Sequence, residues 1–235
     1  MVWIKQRDVR ENHALTDTEQ SKYLDSISGK EMYPFMQSQS PAGLDVGGVG
    51  ITEFTSTGFD LLGRAGGNEV NTDGGDFVSW TFRKAPKFFD VVTYTGDAVP
   101  GREVSHNLGS VPGMMIVKST STAGTWYVYH SSEGPTKYLR LNETTQASPG
   151  AGAWSNTAPT ASEFTTGSVT NYDGQEYVAY LFAHDDSEEG MIQCGSYAGT
   201  GTSAQDIYLG WEPQFLLIKS TTYPGLWGMF DAMRG

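Results

Sequence analysis

The 235-residue chain holds one cysteine, Cys194, so neither an internal disulfide nor a thiolate metal cluster can form. Cations are scarce as well. Fifteen Lys and Arg against 27 Asp and Glu leave a formal charge of −12, which excludes the clustered cations that nucleic-acid affinity requires. No apolar run approaches the roughly 18 residues of a membrane-spanning helix. The opening Met1-Val2-Trp3-Ile4-Lys5-Gln6-Arg7-Asp8 lacks the apolar core of a secretory leader. Neither nucleic acid nor membrane is expected as a partner. His13, His106, His130 and His184 lie far apart, without metal-ligand spacing. No Gly-x-Ser-x-Gly or His-Glu-x-x-His motif is present, and Val46-Gly47-Gly48-Val49-Gly50 has no helical pattern after it to receive a phosphate. No cofactor, metal or catalytic residue is expected.

What the chain does have is turn and strand chemistry. It carries 29 Gly and 10 Pro, with 38% hydrophobic and 12% aromatic residues, enough to bury a core. It also repeats itself. Asn71-Thr72-Asp73-Gly74-Gly75-Asp76-Phe77-Val78-Ser79-Trp80-Thr81-Phe82 aligns with Asn171-Tyr172-Asp173-Gly174-Gln175-Glu176-Tyr177-Val178-Ala179-Tyr180-Leu181-Phe182 at an offset of 100. The run from Leu108 to Ser119 aligns with that from Leu209 to Ser220 at an offset of 101, which Trp126 and Trp227 keep. Trp3-Ile4-Lys5 pairs with Ile116-Val117-Lys118, and Lys22-Tyr23-Leu24 with Lys137-Tyr138-Leu139.

These blocks define a unit of about 100 residues, near the usual domain size. Residues 1–87 read as the rear part of a unit, 88–185 as a complete one, 186–190 as an acidic linker and 191–235 as a front part. The strand-like runs are short: Val91-Val92-Thr93-Tyr94, Met114-Met115-Ile116-Val117, Trp126-Tyr127-Val128-Tyr129 and residues 177–182. Turn signals separate them at roughly ten-residue spacing, which predicts an all-β chain of antiparallel, jelly-roll-like β-sandwich units. Residues 177–182, apolar on both faces, predict a strand buried on both sides. A helical turn or a solvated loop fits residues 16–24, with Asp17, Glu19 and Gln20 facing water.

Trp80-Thr81-Phe82-Arg83-Lys84-Ala85-Pro86-Lys87-Phe88-Phe89-Asp90-Val91-Val92-Thr93-Tyr94-Thr95-Gly96 resembles a repeat of tail-fibre-like and other virion structural proteins of tailed bacteriophages. So do His106-Asn107-Leu108-Gly109-Ser110-Val111-Pro112-Gly113, Trp126-Tyr127-Val128-Tyr129-His130, residues 177–184, Gly210-Trp211-Glu212-Pro213-Gln214 and Asp231-Ala232-Met233-Arg234-Gly235. The resemblance implies a non-enzymatic virion component, located in the particle and contacting copies of itself, other virion proteins or host surface glycans. It supplies no catalytic or ligand residues. It also implies an array longer than this chain; were the chain whole, strand addition from a neighbour would cover its open edges, giving a ring or filament. The rivals are a bacterial surface adhesin or lectin-like module, and a polysaccharide-degrading enzyme for which Glu103, Glu143, Glu163 and Glu176 are available.

Individual residues invite bland readings. Asn71, Asp73, Asn171 and Asp173 offer too few oxygens for calcium and fit Asx turns closed by Gly74 and Gly174. Asp185, Asp186, Glu188 and Glu189 read as a solvated linker rather than a metal site. Cys194, with no histidine beside it in sequence, reads as a small hydrophobe. Trp126 and Trp227 read as core residues whose indole N–H groups find partners. Trp154, in a Gly- and Ala-rich loop, is either a buried anchor or a platform for a sugar or partner protein.

Overall fold

Alternating β-branched and aromatic residues between Gly, Asn and Asp turns favour strands over helices. The computed structural model describes residues 1–47, 50–63 and 70–232. Val46-Gly47-Gly48-Val49-Gly50 lies partly outside these, as do the last three residues. Among the described residues there is no α-helix, and a short 3-10 turn spans Ser168–Thr170.

The first stretch, residues 1–87, holds β1 (Val2–Gln6), β2 (Ala14–Thr16), β3 (Tyr23–Leu24), β4 (Glu31–Met32), β5 (Met36–Gln37), β6 (Gly50–Phe54), β7 (Phe59–Leu62) and β8 (Phe77–Thr81). The middle stretch, residues 88–185, holds β9 (Phe89–Thr95), β10 (Glu103–Ser105), β11 (Pro112–Ser119), β12 (Tyr127–His130), β13 (Lys137–Arg140), β14 (Ser148–Pro149), β15 (Glu163–Thr165) and β16 (Glu176–Ala183). The last stretch, residues 191–232 as described, holds β17 (Phe215–Ile218) and β18 (Gly228–Asp231). Every ladder between these strands is antiparallel.

The principal sheets run β5-β2-β1-β8 and β14-β13-β12-β11-β16-β9, with β17-β18 as a separate hairpin. Their registers correspond. Trp3 stands opposite Leu15 on one side and Trp80 on the other; Ile116 stands opposite Val128 and Tyr180. Leu217 stands opposite Met229, the Ile116–Val128 pairing displaced by 101 residues.

One block departs from the sequence alignment. The position beside β2 that corresponds to β13 belongs to β5, where Met36 faces Leu15 as Leu139 faces Val128. Tyr23–Leu24 instead pairs with Glu31–Met32. The cause is local: Asp25 accepts the Ser28 N–H at 2.6 Å and Gly29 turns at φ +67°, closing a tight hairpin before the chain can reach β2. Leu24 is consequently 69% exposed, whereas Leu139 is buried.

The central strands β1 and β11 bury both faces almost throughout, and residues 177–183 of β16 are buried throughout. The inward face carries Trp3, Leu15, Met36 and Trp80 from the first stretch and Ile116, Val128, Leu139 and Tyr180 from the middle one. All eight join a single core, with Phe215, Trp227 and Met229 of the last stretch packed against it. On the outward face of the six-stranded sheet, β10, β15 and the Trp154 loop cover Met115, Val117, Tyr129 and Leu181. On that of the four-stranded sheet, Phe35, Ile51 and Val70 cover Val2 and Ile4.

Candidate functional site

The junctions between stretches are the most regular feature beyond the sheets. Strand β11 ends at Ser119, and the following loop turns back onto the loop after β5. Leu44 N–H donates to Thr120 O at 2.9 Å and Gly124 N–H to Pro41 O at 2.7 Å. Between the middle and last stretches, Ala147 N–H donates to Thr221 O at 3.1 Å and Gly225 N–H to Thr144 O at 2.7 Å. The tryptophans follow the same scheme. Trp126 Nε1 donates to Ser40 O and Trp227 Nε1 to Arg140 O, each at 2.9 Å. Each junction therefore joins the connecting loop of one hairpin to the loop after β5 or β13 of the preceding stretch by two backbone bonds, with one indole bond beside them, to Ser40 O in the first and to Arg140 O at the end of β13 in the second.

A lysine marks each hairpin. Lys118 ammonium donates to the carbonyls of Ser119 and Thr122, and Lys5 to those of Gln6 and Val9. Lys219 reaches Gly225 O at 2.8 Å and Thr144 O at 3.2 Å, across the junction. Lys118 is fully buried, and burial pushes its pKa down to about 8 from 10.5. Between those values the unfolded chain binds the extra proton, so stability rises with pH through this window. Tyr94 and Tyr180, held above their ordinary value of 10 by burial, oppose the trend at higher pH. Relative to Lys118→Met, the wild type is expected to gain about 2 kcal/mol between roughly pH 7.5 and 9.5. Urea melts of both proteins across that range check this; parallel curves would refute it.

A second tie crosses the first junction. Tyr180 on β16 donates its hydroxyl to Asp17 Oδ2 at 2.6 Å, and Glu19 N–H donates to Asp17 Oδ1 at 2.9 Å. Asp17 is not the solvated residue its loop suggests: it is wholly buried. Burial raises its carboxyl pKa above the ordinary value, against the lowering effect of the Tyr180 bond.

Where the three stretches meet lies a cleft of about 460 Å³, lined among others by Trp3, His13, Gln39, Asn142, Leu226 and Trp227. Trp3 Nε1 donates to His13 Nδ1 at 3.0 Å. The other histidines sit elsewhere. His106 Nδ1 accepts Leu108 N–H, His130 Nδ1 pairs with Ser132 Oγ, and His184 Nδ1 accepts Cys194 N–H. A histidine thus does adjoin Cys194 in space, but through its backbone. The Cys194 thiol donates to Ala183 O at 3.4 Å and burial pushes its pKa up to about 12, the opposite of an activated nucleophile. Its fit against β11 is close: a Cβ on Gly113 would lie 2.6 Å from Cys194 Cβ.

The remaining candidates are dispersed. Gly74 and Gly174 close matching turns at φ +73° and +68°, each stabilised by a backbone bond, Gly75 N–H to Thr72 O and Gln175 N–H to Tyr172 O. Asn171 is buried and spends its carboxamide on Asp97 and Val99 O. Asp185 accepts Ser187 N–H in an exposed turn. Glu103 and Glu163 lie on the β10–β15 ladder, Glu143 beside Arg140, and Glu176 on Thr95. No group of three or more His, Cys, Asp or Glu suited to a metal ion occurs among the described residues. Trp154 is buried with its ring edge-on to Tyr129 at 5.9 Å, so it anchors its loop and offers no face to a sugar.

Fold and junctions together define an all-antiparallel β protein whose stretches join by a recurring contact. A family model described as "Domain of unknown function (DUF7483)" matches residues 1–235, and the chain belongs to that family. No curated protein matches the chain. No solved structure matches it.

Proposed function

We propose that the protein is a non-enzymatic structural component of a tailed-phage virion, part of an appendage, tail fibre or surface decoration. In this reading it is built of repeated antiparallel β-sandwich units of about 100 residues. The observation that carries it is the recurring junction. Leu44 to Thr120 and Gly124 to Pro41 reappear as Ala147 to Thr221 and Gly225 to Thr144, in the same sense. A contact that joins unlike surfaces in one direction suits an extended array, because it propagates rather than closing on itself as a two-fold contact does. The six-stranded sheet covered on its outward face by β10, β15 and the Trp154 loop supports the sandwich layering. The net charge of −12 suits a particle surface that must resist nonspecific association.

Host glycan contact is the adhesive arm of this reading. The cleft lined by His13, Gln39, Asn142 and Trp227 combines aromatic faces with carboxamides, a chemistry that suits a sugar ring.

Mass spectrometry and immunogold labelling of phage particles purified from a lysate carrying the gene test the assignment. The protein is expected to co-purify with particles at stoichiometric level. Its absence from particles, with recovery from bacterial envelopes instead, would transfer it to the bacterial adhesin class. Release of oligosaccharide from host capsule by the purified chain would overturn the non-enzymatic reading.

A further inference from the structure

The cover of the six-stranded sheet is fastened at its two ends by different chemistry. Strands β10 and β15 lie over Met115, Val117 and Leu181 and supply Val104 and Phe164 to that core. At one end, Thr166 N–H donates to Arg102 O at 2.8 Å, and Arg102 Nε lies 3.5 Å from Asp97 Oδ2. Asn171 Nδ2 donates to Asp97 Oδ1 at 2.7 Å. The Val99 amide and the Asn171 carboxamide hold the Asp97 carboxyl below its ordinary range, so this end stays clasped in mild acid.

At the other end the clasp is a histidine. His106 N–H extends the ladder to Ser162 O at 2.8 Å, and its ring turns back so that Nδ1 accepts the Leu108 N–H at 3.2 Å. The next bonds lie close by: Asn107 N–H donates to Asp90 Oδ2 and Lys87 N–H to Leu108 O, each at 2.7 Å. Leu108 is fully buried, in the same core as Val104 and Phe164. An accepting Nδ1 carries no proton, so the neutral ring holds its proton on Nε2. That atom is buried and makes no hydrogen bond of good geometry among the described residues. A second proton would land on Nδ1, facing the Leu108 N–H. It would cost that buried bond and place a cation on a ring only 5% exposed. Burial holds the His106 pKa below its ordinary 6.5, against the opposing pull of the Thr160 backbone and of the Asp90 and Glu163 carboxylates. Asp90 is itself engaged by Lys84 Nζ at 3.3 Å.

We propose that His106 is an acid-released latch on the β10–β15 cover. When the ring gains its second proton, the turn at residues 106–108 opens, the cover lifts about its Arg102 end, and the apolar face beneath is bared. The direction follows from linkage. The open form takes up the proton more readily than the closed one, so closure weakens as pH falls below 6.5 and is at full strength above it.

Hydrogen exchange of the full chain tests this, followed amide by amide from pH 7.5 to 5 and corrected for the intrinsic pH dependence of exchange. Opening at His106, Leu108 and the amides of Glu103–Ser105 and Glu163–Thr165 is expected to rise about three- to tenfold, while Met114–Val117 keep their protection. Asp17 gains stability over the same range, so a global melt would mix two opposite effects that single amides keep apart. His106→Asn offers the Leu108 N–H an acceptor that does not titrate, as in an Asx turn. It is expected to keep the protection seen at pH 7.5 and to lose the acid response. Should that variant not fold, NMR titration of the unmodified chain carries the test: the His106 ring and the Leu108 amide are expected to share one midpoint, below 6.5. Exchange independent of pH, an equal acid response in His106→Asn, or separate midpoints for ring and amide would each overturn the proposal.

Discussion

Trp126→Ala is expected to destabilise the protein by about 4 kcal/mol, the usual range for emptying a buried tryptophan site. In a chain of this size that loss lowers the melting temperature by roughly 8–16 °C. Trp126 is fully buried in the shared core and holds the first junction by its bond to Ser40 O. Two comparisons separate packing from tether. Trp126→Phe keeps most of the apolar contact and loses the indole bond, so about 1 kcal/mol should remain missing. Trp227→Ala removes the same kind of bond at the second junction, but from a residue only partly buried, and should cost clearly less than Trp126→Ala. Hydrogen exchange supplies the local readout: in Trp126→Ala the Leu44 and Gly124 amides, which bridge that junction, should exchange faster. Equal costs for the two alanine variants would mean that burial does not set the strength of the junctions.

Tyr180→Phe should cost about 2–3 kcal/mol at pH 7, because it leaves the buried Asp17 carboxylate without its 2.6 Å hydroxyl donor. The pH dependence distinguishes this cause from lost packing. Asp17 already has a raised pKa, so the native state holds its proton more readily than the unfolded chain and gains stability as pH falls. Without the Tyr180 bond that pKa rises further, and acidification relieves the variant from a higher starting pH. The deficit of Tyr180→Phe should therefore shrink between pH 7 and pH 5 in chemical denaturation. A pH-independent deficit would place the loss in packing around the ring. Asp17→Asn, which keeps an acceptor for Tyr180 and removes the buried charge, should stay near wild-type stability and lose the pH trend.

Much of the architecture was legible in the residues, and what was hidden has identifiable causes. The offsets of 100 and 101 reappear as strand registers, because a β-pair transmits a sequence match directly into backbone position. The Lys22-Tyr23-Leu24 match failed since three residues of similarity carry no information about the hairpin that Asp25 and Gly29 impose just after them. Asp17 looked solvated because its neighbours are polar; its partner lies 163 residues away, beyond any local pattern. The convergence of Trp3, Ile116 and Met229 on one core was equally invisible, since periodicity reports that a face is apolar and not which face it meets. The junction tryptophans were recognisable as recurring residues, but their acceptors, Ser40 O and Arg140 O, are backbone atoms that no motif marks.

The pairing of β1 with β8 also sets a clock on the ribosome. Val2 bonds beside Thr81 and Gln6 beside Phe77, so the first strand emerges about 70–80 residues before its partner. At the ordinary synthesis rate of roughly 5–20 residues per second, Trp3 and Ile4 wait on the order of 4–16 s for the strand that covers their edge. Through that interval the β1–β2 hairpin carries an open edge and an apolar face on a nascent chain, and neighbouring ribosomes on the same message hold identical hairpins. Slower translation across residues 17–76 would lengthen the exposure and lower the soluble yield, while leaving the finished protein's stability untouched.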